Sequence, residues 1–364
     1  MSIELLLCVI LIFYLAQVCF FLYGITHLRD ECSSTAQLSV SVIIAARNEE
    51  KNIAPCLESV LQQTYSSHSY EVIVADDHSS DSTRSICEAI AKLHPSLTVF
   101  LCVDDETLRG KSNALHQAID RAKNEIILVT DADCTVPSTW IEHTVKRYGP
   151  NTGIVGGVTL QKSTDWFGGM QSLDWAYLLG LAASAVALNN PLSTIGNNLS
   201  FRKSAYEEVG GYKKIPFSVT EDFMLFQSIL QLKKYSCLYP VDSHLTVITN
   251  PCSTFAELVR QKQRWGRGGV DMKLSGLAIM VIGFLTHGII IAGFIAGDIL
   301  FAATALLIKC IADYSFLHLT LKRLKRIDLL TYFYWFEAYY IVYVILLPFI
   351  VFLGGKVKWK GRSY

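Results

Sequence analysis

From Leu5 to Ile25 the sequence LLLCVILIFYLAQVCFFLYGI carries no charge for 21 residues. That is long enough to cross a bilayer core of about 30 Å as a helix. The segment ahead of it holds Glu4 and neither Lys nor Arg, and the apolar run exceeds the h-region of a cleaved signal. Residues 1–26 are therefore expected to be a retained anchor. The other end is similar, with only nine charged residues between positions 274 and 353. Between these ends, residues 27–273 hold 23 Lys/Arg and 27 Asp/Glu. The formal charge of zero thus conceals an acidic, soluble-like middle between two membrane-like ends, closed by a tail with Lys356, Lys358, Lys360 and Arg362. Charged residues are 18% of the chain, against about 25% in soluble proteins. Disorder and simple electrostatic nucleic-acid binding are excluded as readings, and no nucleic-acid partner is expected.

The C-terminal part divides into Leu274–Ile295, a turn at Gly297 and Asp298, and a second apolar segment Ile299–Leu319. Lys309 and Asp313 lie four apart there, the spacing of a structural ion pair on one helix face. Leu329–Leu353 follows the basic loop Leu321–Arg326 and is rich in aromatic residues, with Glu337 and Pro348 inside it. If loop and tail both prefer the cytoplasm, this last segment is not one straight span. A re-entrant or interfacial hairpin is the expectation; a tail on the outer side is the alternative. Ten cysteines show no C-x-x-C pair and no zinc-like spacing, as expected of free thiols in a reducing compartment.

In the middle region the runs Ser39–Ala46, Glu71–Ala75, Leu97–Val103 and Glu125–Thr130 are apolar and β-branched, and helical patterns separate them. This alternation implies a largely parallel sheet with helices on both sides, where ligands bind beyond the carboxyl ends of the strands. Those ends carry Arg47, Asn48 and Glu49, then Asp76 and Asp77, then Asp131 and Asp133. Neither G-x-G-x-x-G nor G-x-x-x-x-G-K-[ST] follows a strand, so dinucleotide enzymes and P-loop ATPases lose their signatures. Two carboxylates one residue apart suit a divalent cation that keeps some water and bridges a diphosphate. Each acid has a plainer role open to it. Asp77 or Ser79 can cap the next helix, Asp131-x-Asp133 can be a turn, and Thr220-Glu221-Asp222 can be a helix start. Gln261–Arg267 can be a basic amphipathic helix at a membrane surface.

Taken together, SVIIAARNEE, VIVADDHSSDST, RGKSNAL, VTDADC, GNNLSFRK, TED and QKQRW, in this order from Ser39 to Trp265, resemble a membrane-bound family 2 glycosyltransferase. The resemblance implies an α/β GT-A fold, a Rossmann-like mixed sheet, flanked by N- and C-terminal transmembrane helices. It implies an anchor at 1–26, a catalytic domain at 38–250, an interface segment at 251–273, apolar helices at 274–354 and a basic tail at 355–364. By the same resemblance Ala45, Arg47 and Glu49 line the nucleotide, Asp76 and Asp77 meet its base, and Lys111 lies near it. Asp133 is the expected ligand of magnesium or manganese, with Asp131 between metal and nucleotide. Asp222 matches the general base, with Glu221 in the same catalytic set. Gln261, Arg264 and Trp265 match Q-x-x-R-W near the diphosphate and acceptor. His78 stands where such enzymes often have a small or amide residue.

The implied reaction is inverting transfer of a hexose from a nucleotide-diphosphate sugar, UDP first, to an acceptor. Q-x-x-R-W favours a processive polysaccharide synthase, whereas the few apolar segments and the ending KVKWKGRSY resemble enzymes that glycosylate membrane lipids such as carotenoids. A lipid acceptor is the expectation, the polymerase the runner-up, and a non-catalytic nucleotide-sugar-binding scaffold the reading from another class. Sugar choice is assigned to loops between Gly156 and Phe201. The enzyme is expected to be a multi-pass membrane protein with its catalytic domain on the cytoplasmic side.

Overall fold

The computed structural model describes residues 3–28, 37–269, 273–353, 355, 358–359 and 362–363. Ten strands are used below: β1 Val40–Ala46, β2 Tyr70–Asp76, β3 Leu97–Leu101, β4 Ile126–Asp131, β5 Cys134–Thr135, β6 Thr152–Gly156, β7 Thr159–Gln161, β8 Leu199–Arg202, β9 Ser236–Leu238 and β10 Val247–Thr249. Seven of them form one sheet in the order β3-β2-β1-β4-β8-β6-β9. The β3-β2-β1-β4 half is parallel, and β8 runs antiparallel to both β4 and β6. β5, β10 and β7 form a small second sheet.

The parallel half follows from continuous apolar runs. VSVIIAA, YEVIVAD and IILVTD are buried almost throughout, as strands covered by helices on both faces require. Val42, Ile44, Val72, Val74 and Leu128 are fully buried on one face with Leu57 and Val60 of the helix Ile53–Leu61. Ile43, Ile73 and Ile127 point to the other face, against Leu115 and Ile119 of Lys111–Arg121. Each such side chain contributes about 1.5–3 kcal/mol.

Four segments are long and apolar enough to cross a membrane: Glu4–Thr26, Leu274–Ala296, Ile299–Arg323 and Ile327–Phe352. Three of them pack against a helix that the sequence reading missed, while Leu274–Ala296 packs on those three. Between Gly156 and Phe201, where loops were expected, the chain forms the 22-residue helix Trp166–Ala187, buried on nearly all sides and capped by Asp165, which accepts from the Gly168 N–H. A helix apolar on every face is stable only inside other helices. The N-terminal helix supplies Tyr14, Val18 and Phe21 to that packing, and Ile299–Arg323 supplies Phe316 and Leu317.

The expected pair Lys309–Asp313 forms at 2.9 Å, fully buried. Glu337 also accepts from Lys309, and Tyr14 and Tyr177 donate to Asp313 at 2.6 and 3.0 Å.

The expected hairpin after the basic loop does not form. A short 3-10 turn at Ile327–Tyr332 leads into one continuous helix, Phe333–Leu353, with Pro348 inside its last turns. It runs beside the helix Phe255–Gly268. Trp335 packs tilted on Trp166, which in turn packs on Phe255, at 5.0 and 6.4 Å between centroids, and at the far end Arg267 donates to the Val351 carbonyl at 3.4 Å. Of the tail, Lys358–Trp359 pairs antiparallel with Arg362–Ser363; Lys356 and Lys360 lie outside the described residues. The nine described cysteines are all free.

Candidate active site

Strand register assembles the first part of the site. Ala46 pairs with Asp76, and Ala45 with Asp131, so the three strand ends that carry the motif residues are neighbours. They meet where the strand order turns from β1–β3 to β4, the point at which an open α/β sheet leaves a crevice.

The loops after β1 and β2 interlock through backbone donors. Asn48 N–H donates to Ser79 Oγ at 3.0 Å, Glu49 N–H to Thr83 Oγ1 at 2.7 Å and Ser80 N–H to Asn48 Oδ1 at 2.8 Å. Asn48 and His78 adopt φ of 53° and 56°, a region Asn tolerates because its short side chain bonds locally. Neither Asp77 nor Ser79 caps the following helix, which begins at Thr83 with Ser82 at the cap position and no side-chain capping bond. Instead Arg47 donates to the Asp77 carbonyl at 2.6 Å. Asp76 is 1% exposed, and its Oδ2 accepts no hydrogen bond among the described residues. A buried carboxylate oxygen left in this state is costly unless a ligand donates to it.

Lys111 joins the two halves of the site. It opens the helix Lys111–Arg121, where a cation opposes the helix dipole. Its position depends on acids, because its ammonium lies 2.6 Å from Asp131 Oδ1 and 3.2 Å from Glu221 Oε1. Burial lowers the ammonium's pKa, but the charges of Asp131 and Glu221 outweigh it and hold the value raised. One lysine thus ties the D-x-D strand end to the T-E-D helix, elements 90 residues apart in sequence.

Glu221 and Asp222 occupy the first turn of Glu221–Gln231, where the helix dipole favours them. Thr220 stands at the cap position but makes no capping bond; its hydroxyl lies 3.1 Å from Ser218 Oγ. Desolvation and then the neighbouring Glu221 push the Asp222 carboxyl up to about 6, against Lys111, the Phe223 N–H and Arg264. Two glycines permit the crowding. A Cβ at Gly196 would lie 2.9 Å from Asp222, and one at Gly268 would lie 2.0 Å from Thr220 Oγ1. The first belongs to GNNLSFRK and the second ends the Q-x-x-R-W helix, so both motifs close on T-E-D.

Arg264 acts electrostatically on Asp222. Gln261 lies on the same helix with its Oε1 buried and unbonded among the described residues. Trp265 packs at 5.2 Å from Trp175. Asn198, in GNNLSFRK, is structural: it donates to the Val158 and Leu245 carbonyls and accepts from Trp140.

For a metal, Asp131 ends β4 and Asp133 follows in the turn before β5, both partly exposed. No cluster of three or more His, Cys, Asp or Glu able to hold a metal exists among the described residues. Two partly exposed carboxylates at the strand ends nevertheless fit a cation that takes its other ligands from diphosphate and water. Lys111 lies on Asp131, and the Cys134 thiol donates to Asp133 Oδ1 at 3.5 Å.

Family comparison agrees with this geometry. The model described as Glycosyl transferase family 2 matches residues 41–210, and that described as Glycosyl transferase family group 2 matches residues 126–354. A poly-β-1,6-N-acetyl-D-glucosamine synthase of Staphylococcus epidermidis is 30% identical over 241 residues, 65% of this chain and 55% of the relative. A β-monoglucosyldiacylglycerol synthase of Trichormus variabilis is 30% identical over 242 residues, 65% of this chain and 50% of the relative. The chain therefore spans about half the length of the curated relatives it matches. In fold, it superposes on a Pyrobaculum calidifontis mannosyltransferase solved with GDP-Man and Mn2+, at a TM-score of 0.66 and 20% identity, over 96% of this chain and 97% of that one. Motif order, mixed sheet and family match converge: the chain belongs to glycosyl transferase family 2 and is an enzyme of the GT-A fold.

Proposed function

We propose that this enzyme moves one hexose from a nucleotide-diphosphate sugar, UDP-linked as the first choice, to the hydroxyl of a membrane lipid, inverting the anomeric centre. The observation that carries the catalytic reading is the chain of contacts Asp131–Lys111–Glu221 with Asp222 beside it. It sets a cation next to a carboxylate of raised pKa, the pair of charges that loss of a diphosphate and deprotonation of a hydroxyl call for. Asp76 offers an acceptor to an imide N–H of the base. Lys111 and Arg264 oppose the negative charge that develops on the departing diphosphate. Magnesium or manganese on Asp133, with Asp131, supplies further positive charge there when bound. Asp222 accepts the proton of the attacking hydroxyl, and a base with a pKa near 6 is ionised at pH 7 yet stronger than an ordinary carboxylate. Attack opposite the leaving group needs no covalent intermediate.

The lipid acceptor is supported by the helices long and apolar enough to enter a bilayer and by the β-monoglucosyldiacylglycerol synthase relative. The equally similar polysaccharide synthase supports processive synthesis as the second reading. Membrane seating would place the catalytic domain on the cytoplasmic side, beside the donor supply. To test transfer itself, membranes containing the enzyme are incubated with labelled nucleotide sugars, UDP- and GDP-linked, with and without chelator. Label should move into extracted lipid, stop with chelator and resume with manganese. Donor binding without transfer across the panel would instead leave a nucleotide-sugar-binding scaffold.

A further inference from the structure

Inside Q-x-x-R-W, Lys262 has a side chain 1% exposed. Its ammonium donates to Asp174, a fully buried carboxylate in the middle of the helix Trp166–Ala187. Three aromatic rings complete the enclosure. The Lys262 ammonium lies 4.6 Å from the Trp265 ring and 4.9 Å from the Tyr343 ring, and Trp265 packs on Trp175, one residue past Asp174. Lys262 therefore touches both neighbouring helices, while Arg264, two positions on, acts on Asp222.

We infer that Lys262 is a positioning residue: its ion pair with Asp174 fixes the rotation of the Phe255–Gly268 helix and thereby aims Gln261 and Arg264 into the cleft. A turn of the helix about its axis would carry both faces together, since neighbouring positions are 100° apart at 3.6 residues per turn. The pair is well suited to fixing one setting. Two buried charges tolerate no alternative partner, whereas apolar contacts at the same place would allow the helix to slide or roll. Burial of an ion pair adds little net stability over well-packed apolar residues, so the role in geometry is separable from the role in folding.

This inference rests on the proposed transfer reaction, and the test distinguishes the two. The full-length enzyme is assayed in detergent as the parent and as the double variant Lys262→Met/Asp174→Leu, which fills the site with apolar side chains. Thermal midpoint, kcat and donor KM are measured together. The positioning role predicts a parental midpoint with kcat reduced about 100-fold, the scale of a misplacement of about 1 Å, and donor KM changed far less. Parental kcat in the double variant, or a kcat that falls only in proportion to the folded fraction, overturns it. The single variant Asp174→Asn, which keeps the side-chain shape and a hydrogen-bond acceptor for Lys262 but not the counter-charge, should lower the thermal midpoint, while kcat per folded enzyme stays well above that of the double variant; a kcat per folded enzyme as low as the double variant's also counts against positioning. A parent that transfers no sugar refutes the reaction itself and is read out separately from the variants.

Discussion

The cleft and the helical bundle use the same residue types to opposite ends. In the bundle, Lys309, Asp313 and Glu337 are closed off: Lys309 and Asp313 are 0% exposed, and two tyrosines from separate helices donate to Asp313. In the cleft, Lys111 also stands between two carboxylates, but Asp131 and Asp133 keep part of their surface open and Asp76 keeps a bare acceptor. Glu337 Oε1 in the bundle also accepts no hydrogen bond among the described residues, so a bare buried oxygen does not by itself mark a site; the partly exposed Asp131 and Asp133 are what separate the cleft from the bundle. The difference is in what surrounds the charges, since lone acids in sequence look alike.

The comparison breaks first at Asp222. Asp222→Asn should lower kcat about 1,000-fold or more while leaving donor affinity close to parental, because a general base contributes on that scale; titration of a nucleotide sugar alongside single-turnover transfer checks both halves. Full turnover by a folded Asp222→Asn enzyme ends the assignment. Next, Lys309→Met leaves Asp313 and Glu337 buried without their cation and should cost about 3–5 kcal/mol, seen as a lowered thermal midpoint with kcat of the surviving fraction unchanged. A kcat loss with stability intact would place the bundle cluster in the chemistry instead.

The pH profile sharpens the contrast more gently. With the Asp222 carboxyl at about 6, the base is protonated and inactive below that value, so kcat/KM should fall about tenfold per unit of pH below 6 and level off above it. An acid limb near 4 would mean that Glu221 and desolvation do not act on the working base. The smallest effect belongs to the exposed pair Arg84–Glu88 at 2.7 Å. Arg84→Ala should cost about 0.5 kcal/mol or less, so an unfolding curve distinct from the parent would show that exposed charge matters more than this account allows.

Much of the fold was legible because strands buried on both faces leave continuous apolar runs, and β1, β2 and β4 appeared within a residue or so of their expected bounds. The strand-end acids were legible for the same reason, since each ends a run. The contact between Lys111 and Glu221 was not, because it depends on how Lys111–Arg121 and Glu221–Gln231 pack, and no local spacing records that. The helix Trp166–Ala187 left a signal that was passed over: 22 residues with a single charge, Asp174. Its polar Gln171 and Ser172 and its glycines lower its apolar character, and only the surrounding helices make it stable. The hairpin expected near Pro348 failed because proline inside the last turns removes one backbone bond without ending a helix held along its length. The end of that helix and the residue just beyond it are held by the Q-x-x-R-W helix, with Arg267 donating to the Val351 carbonyl and Gln263 to the Gly355 carbonyl.

The central claim, transfer of one sugar to a lipid, is tested most directly by the number of sugars added per acceptor. Enzyme-containing membranes are given excess labelled donor for a long incubation, and the lipid products are separated and weighed by mass spectrometry. The account predicts a product heavier than its lipid by a single hexose, unchanged with time. A ladder of masses or a growing polymer would contradict it and assign the cleft to processive synthesis.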